Sequence, residues 1–274
     1  MPRDFRFKPQ YRKQPHAPQK QNTSGRPDAP SDPPLELAVV ELGKPFTFDA
    51  AFARRLVRRD VNEKEAFTVR DASGAFFRAS VKRLGPDGGE ALPYEKCEIS
   101  PECPVELTLA CAVLARQRML FVAQKATELG VARLIPLLTE KSVPRGDLEH
   151  EKAFAWPGQV VRAAKQCRRG SLPELAPPMT FDVFLESPVL KESELTLCLD
   201  NVGGRAAPSG AAPKKVVLLV GPEGGFSDGE RKKLEGRAIP WLLGGRVLRA
   251  ETAVLAGLTA IQLNWGDFAA PPAR

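Results

Sequence analysis

The stretch VVLLVGPEGGFSDGE, Val216 to Glu230, restricts the fold more than any other part of the chain. Val216 to Val220 is an unbroken run of branched aliphatic side chains. Such a run reads as a strand buried on both faces, which needs helices on either side of a parallel sheet. Gly221-Pro222-Glu223-Gly224-Gly225 follows as a stiff, glycine-bearing turn. Ser227 and Glu230 have the spacing of a capping box, so a helix is expected to open at Ser227. Strand, turn and capped helix in that order aim free backbone amides at the carboxyl end of a sheet, where open α/β sheets bind ligands. The same order also serves as a plain strand–turn–helix connection.

The surrounding sequence repeats the pattern. Val105 to Leu114 reads as a central strand, and Arg116 to Leu129 as a helix with Met119, Leu120, Ala123, Ala126 and Leu129 at helical spacing. Gly130 supplies the stop and Val131 to Leu138 the next strand. That is a βαβ unit, hence a parallel sheet with helices on both faces. Lys125 and Glu128 share a face of the first helix, as a surface ion pair would. Trp156-Pro157 opens a second helix that runs to Gln166 and ends in a basic cluster, Arg162, Lys165, Arg168 and Arg169. Phe181 to Leu185 is a short apolar piece, Leu195 to Leu199 a buried strand, and residues 201–215 a Gly/Pro/Ala-rich loop. Ile239 to Leu243 is the last strand, with Pro240 at its start or at a sheet edge. The final helix carries Val254, Leu255, Leu258, Ile261 and Trp265 on one face, and Gly257 permits close packing. Gly221–Gly225 and Leu243-Gly244-Gly245-Arg246 then end two strands expected to be neighbours.

Residues 35–103 have another texture: short β-type runs separated by turn signals, read as a small β-barrel. Ala66 to Arg70 and Ala75 to Val81 form a hairpin around Asp71-Ala72-Ser73-Gly74, and Pro86 to Gly89 marks another turn. A short helix over Ala50 to Arg59 carries Arg54, Arg55, Arg58 and Arg59, either a solvated face or an RNA-contacting one. Residues 1–34 hold seven Lys/Arg against three Asp and lack an apolar period, so a disordered basic arm is expected. The net charge of +7 favours a polyanionic partner, nucleic acid first.

Several chemistries are excluded. No glycine turn has the G-x-G-x-x-G or P-loop spacing, and no G-x-S-x-G is present. The five cysteines, Cys97, Cys103, Cys111, Cys167 and Cys198, form no C-x-x-C pair, and only His16 and His150 accompany them, so no metal site is assigned. Reduced thiols, no apolar run of ~20 residues and no apolar leader segment point to a cytoplasmic protein without membrane contact. What remains is a pocket of backbone amides and carbonyls bordered by Arg and Glu, suited to an adenine-bearing cofactor.

Gly221 to Ser227, and Leu243-Gly244-Gly245-Arg246-Val247-Leu248-Arg249-Ala250-Glu251-Thr252-Ala253, resemble the two signature motifs of the RsmE family. These are 16S ribosomal RNA (uridine-N3) methyltransferases of the SPOUT class. Gln124 to Val131 resembles a third family motif, Ala163 to Arg169 around Gln166 a fourth, and Asp71 to Val81 the family's PUA-like N-terminal barrel. The resemblance implies a trefoil-knotted parallel sheet over residues 104–274, a PUA-like RNA-binding barrel over 35–103, a homodimer, and S-adenosylmethionine (S-adenosyl-L-methionine, SAM) held in the knot. Carried over by motif, Leu219, Val220, Gly221, Pro222, Glu223, Gly224, Gly225, Leu243, Gly244, Arg246, Val247, Leu248 and Arg249 hold the cofactor. The substrate implied is one uridine in the decoding region of 16S ribosomal RNA, free or in the small ribosomal subunit. Two departures touch RNA contacts: Ala53-Arg54-Arg55 stands where the family has histidine, and the basic arm is additional.

Methylating a ring nitrogen requires the weakly acidic N3–H to be deprotonated or its oxyanions stabilised. Arg249 is the candidate for the anion, Glu128 or Glu251 for the proton, and Gln166 for the base edge. Glu251 also suits a carboxylate at a helix start, and Arg249 a partner for Glu251 or Glu223. Arg54, Arg55, Arg58, Arg168 and Arg169 are the candidates for RNA contact. A ribose 2′-O-methyltransferase of the same class and a non-catalytic RNA-binding protein are the competing readings.

Overall fold

The computed structural model describes residues 29–115, 117–201, 204 and 210–268. The arm expected over residues 1–34 therefore lies outside them up to residue 28. The chain builds two sheets, one from each half.

The N-terminal sheet holds β1 (Leu35–Leu37), β2 (Phe46–Asp49), β3 (Ala66–Asp71), β4 (Phe76–Gly85) and β5 (Gly88–Lys96), in the order β1-β3-β4-β5-β2. The hairpin expected around Gly74 is β3–β4; Asp71 Oδ1 accepts the amides of Ser73 and Ala75, and Gly74 has φ +87°. β1 is shorter than the run Leu35 to Leu42 suggested and pairs parallel to β3. Helix α1 (Ala50–Arg58) is capped by Asp49, whose side chain accepts the Phe52 amide at 2.8 Å. α1 buries Ala53 and Leu56 against Leu35, Phe67, Val69 and Val81.

The second sheet is parallel throughout. Its strands are β6 (Glu106–Ala112), β7 (Arg133–Leu138), β8 (Glu174–Leu175), β9 (Met179–Thr180), β10 (Leu195–Leu199), β11 (Lys215–Val220) and β12 (Ile239–Trp241). The order is β12-β10-β11-β6-β7-β8, with β9 also on β7. Helices α2 (Gln117–Glu128), α3 (Trp156–Gln166), α4 (Phe181–Leu185), α5 (Pro188–Lys191), α6 (Asp228–Leu234) and α7 (Ala250–Trp265) connect and cover it. β11 is buried on both faces, as its composition demands. Val216, Leu218 and Val220 join the core under α2 and α7, while Val217 and Leu219 join Phe181, Phe184 and Phe226 on the other face. A Cβ at Gly257 would stand 2.9 Å from Leu199 and 3.0 Å from Leu218, so α7 lies directly on the sheet. β11 and β12 are not neighbours: β10 lies between them, and β12 is the edge, where Pro240 costs no ladder bond.

Residues 29–34 are ordered against both halves. Ala29 and Asp32 exchange backbone hydrogen bonds with Leu175 and Leu172. The Asp32 carboxylate, almost fully buried, accepts from Arg55 Nε at 2.8 Å and Arg59 Nε at 2.7 Å. Residues 29–34 are therefore not part of a disordered arm, because an Asp–Arg network supplies a fold that the proline-rich composition concealed.

Candidate active site

The carboxyl ends of β10, β11 and β12 point the same way because all three are parallel. The turns after them form one cleft, lined by Leu199, Val220, Gly221, Pro222, Trp241 and Leu248 among others. Of the residues expected at the cofactor, Val220, Gly221, Pro222, Glu223, Gly225, Leu243, Arg246, Val247 and Leu248 line it. Leu219, Gly224, Gly244 and Arg249 do not; Leu219 is fully buried in the opposite core, as strand alternation requires. Asp200, Asn201, Phe226, Trp241, Ala250 and Ala253 also line the cleft. The sequence signal for Asp200 was its position directly after a strand read as buried.

The motif glycines have specific work. A Cβ at Gly221 would meet the Phe226 ring at 3.1 Å, and Gly225 has φ +67°. The capping box is formed: Glu230 donates its amide to Ser227 Oγ at 3.2 Å, and Glu230 Oε2 accepts the Ser227 amide at 2.9 Å. Lys141 Nζ donates to the Gly224 carbonyl at 3.1 Å. Arg231 Nε donates to Asp200 Oδ2 at 2.8 Å, which holds the guanidinium above its ordinary pKa.

Arg249 is the N-cap residue of α7, exposed, with no side-chain hydrogen bond or ion pair among the described residues. Glu223 pairs instead with Arg118 at the start of α2. Glu251 sits in the first turn of α7, facing a second cavity with Gln117, Arg118, Phe121, Gln124 and Gln159. Its Oε2 is buried with no hydrogen-bond partner among the described residues. Burial, with the negative charges of Glu223 and Glu251 adding, pushes the Cys111 thiol near the end of β6 up to about 12.

Glu128 and Gln166 are not brought to this place in the chain. A crossover helix starts at the carboxyl end of one strand and runs back to the amino end of the next. Glu128 closes α2 close to Ala132, which donates to Leu107 at the start of β6. Its carboxylate holds Lys125 Nζ at 2.8 and 3.0 Å, the ion pair that the spacing allowed. Gln166 closes α3, next to the N-terminal sheet.

The arginines separate into two kinds. Arg54, Arg58 and Arg168 expose their side chains. Arg55 is tied to Asp32, and Arg169 is buried, donating to Glu102 Oε2 at 2.7 Å and to the Val131 carbonyl at 2.6 Å. Arg169 is thus a structural cation, corrected from an RNA contact, because Glu102 and the end of α2 enclose it.

The turns after three parallel strands thus enclose a cleft with a partly apolar lining, beside the helix start that carries Arg249 and Glu251, at the carboxyl end of the sheet where open α/β folds bind ligands. Residues 101–262 match the RNA methyltransferase domain family, and the chain belongs to it. A ribosomal RNA small subunit methyltransferase E of Synechocystis sp. is 31% identical over 215 residues, covering 77% of this chain and 69% of that one. The corresponding enzyme of Buchnera aphidicola is 27% identical over 84% of this chain and 92% of its own. A crystal structure of ribosomal RNA small subunit methyltransferase E from Neisseria gonorrhoeae bound to S-adenosyl methionine superposes with TM-score 0.62 at 27% identity, over 86% of this chain and 99% of that one. Within the RNA methyltransferases, the chain belongs to the ribosomal RNA small subunit methyltransferase E family.

Proposed function

We propose that the chain transfers a methyl group from SAM to N3 of one uridine in the decoding region of 16S ribosomal RNA. Family membership carries the coarser statement, a SAM-dependent methyltransferase of small-subunit ribosomal RNA. The observation that carries the finer one is the start of α7: Arg249 is exposed and, among the described residues, without a side-chain partner, and Glu251 two residues on has a buried oxygen that none of the described residues pairs, beside the cleft.

The cleft fits SAM by its chemistry. Leu199, Val220, Trp241 and Leu248 offer apolar walls for a purine, and the turn amides offer the hydrogen bonds of its edge. When bound, SAM supplies an electrophilic methyl on a sulfonium. Glu251 takes the N3 proton and Arg249 stabilises the negative charge spread over the two flanking uracil oxygens, so that N3 would accept the methyl as the sulfonium S–C bond breaks and the cofactor leaves as a neutral thioether. Holding both reactants in line supplies much of the rate. The target uridine is splayed out of its stack to enter.

The remaining parts of the reading follow the family. The parallel sheet with α7 lying back over β11 supports a SPOUT trefoil knot, and the five-stranded N-terminal sheet supports a PUA-like RNA-binding barrel. Phe121 and Leu263 are exposed on α2 and α7, and a second copy covering them makes the homodimer. Arg54, Arg58 and Arg168 contact RNA phosphates. Among the described residues no helix is long and apolar enough to cross a membrane.

The test is incubation with methyl-labelled SAM and unmethylated small ribosomal subunits, followed by digestion to nucleosides. Label in 3-methyluridine is the expected result. Label in a 2′-O-methyl nucleoside overturns the N3 assignment, and no label with SAM bound overturns the substrate.

A further inference from the structure

The short segment ahead of β1 bridges the two halves of the molecule. Its backbone pairs with Leu172, in the connection between α3 and β8, and with Leu175 in β8 itself. Its one carboxylate, Asp32, holds two arginines of α1, which belongs to the N-terminal sheet. Arg59 completes the bridge. Beyond Asp32 Oδ2 it donates to the Gly170 carbonyl at 2.5 Å, the Asp32 carbonyl at 3.1 Å and the Pro33 carbonyl at 2.5 Å. One guanidinium thus reads both halves and the segment between them.

Close packing between the halves is local here: a Cβ at Gly170 would stand 2.8 Å from the Phe76 ring. The seam opens into a cavity of about 1050 Å³, bordered by Asp32, Pro34, Phe76, Glu102, Leu172 and Phe268. Other hydrogen bonds cross the seam further along: Thr68 Oγ1 donates to the Arg168 carbonyl at 2.9 Å, Lys165 Nζ to Glu65 at 2.8 Å and the Asp60 carbonyl at 2.5 Å, and Glu102 accepts from Arg169 and Ser171, but none of them ties the segment ahead of β1 to both halves. A buried ion pair is a poor source of net stability compared with apolar packing, and its best-attested use is to fix a register. The helix places what that register serves. Arg55 and Arg59 lie one turn apart on the seam side of α1, and Arg54 and Arg58 lie on the adjacent exposed flank, with Val57 on the far one. Arg168 is exposed just across the seam, one residue from Arg169.

We propose that Asp32 is a positioning residue: through Arg55 and Arg59 it fixes the angle between the N-terminal sheet and the methyltransferase domain, so that one RNA engages both at a set distance from the cleft. This rests on the reading of the substrate as RNA. A hinge that spends a tenth of its time in the competent orientation binds about tenfold more weakly.

Labels placed through non-natural residues at the exposed positions Lys82 and Lys232 report the distance between the halves. In Asp32→Asn that distribution broadens, the KM for small subunits rises about tenfold, and kcat and SAM affinity stay within about twofold. Arg55→Gln is the second variant, decisive if Asp32→Asn does not fold: the distances broaden and the KM rises, with the slope of log KM against log salt unchanged. Unchanged distances and KM in the folded variants overturn the proposal. So does a salt slope reduced by about one in Arg55→Gln with wild-type distances, since Arg55 then contacts a phosphate itself. The distance measurement needs no RNA, so failure of the wild type to methylate RNA counts against the functional reading alone.

Discussion

Glu230 accepts the backbone amide of Glu140 at 2.9 Å, while its other oxygen accepts the Ser227 amide at 2.9 Å. One buried carboxylate therefore closes the start of α6 and pins the loop after β7 to the glycine turn. Replacement by alanine leaves two amides unpaired. Glu230→Ala should cost about 2 kcal/mol in urea unfolding, the sum of a lost cap and an orphaned buried donor. It should also weaken SAM binding, since the Gly221–Gly225 turn loses its anchor. A variant with wild-type stability and wild-type SAM affinity would show that the turn holds itself.

Arg249 has no side-chain partner among the described residues, so its removal tests chemistry with little cost to the fold. Arg249→Ala should melt within about 0.5 kcal/mol of wild type, as surface substitutions do. It should keep SAM affinity and lose about a hundredfold or more in kcat, the scale of one oxyanion donor. Titration calorimetry and single-turnover methyl transfer separate the two effects. Wild-type turnover would remove Arg249 from the mechanism.

The exposed and the buried arginines should behave in opposite ways. Arg58→Ala should leave stability unchanged and reduce the salt slope of RNA binding by about one. Arg169→Ala should leave the partly buried Glu102 carboxylate and the buried Val131 carbonyl without their cation and cost about 3 kcal/mol, seen as a lowered Tm. A salt-slope change in a fully stable Arg169→Ala protein would reverse this division.

Burial pushes Cys111 and Cys198 up to about 12. An unfolded thiol titrates near ~8.5. The folded value is the higher one, so this contribution to stability is complete below pH ~8.5 and is lost as pH rises toward 12. The stability gap between wild type and Cys111→Ala should therefore narrow by about 1.4 kcal/mol between pH 7 and pH 9.5. A gap that does not change over that range would mean that the thiol is accessible to water in the folded protein.

Local pattern determined a large part of this protein. The unbroken run Val216–Val220, the S-x-x-E spacing at Ser227 and the stop at Gly130 each depend on a few neighbouring residues, and each is where it was expected. The Asp71–Gly74 hairpin is of the same kind. Tertiary structure alone decided strand order, which put β10 between the strands bearing the two glycine turns and added Asp200 and Trp241 to the cleft. It also decided which end of the sheet each helix terminus reaches, separating Glu128 and Gln166 from Arg249 and Glu251. The arginines show the reason most directly. Arg54 and Arg55 are adjacent, yet among the described residues only Arg55 meets a carboxylate, 23 residues away, and Arg169 finds Glu102 at a separation of 67. Periodicity reports which face a side chain occupies; which partner waits on that face depends on chain that folds in from far away.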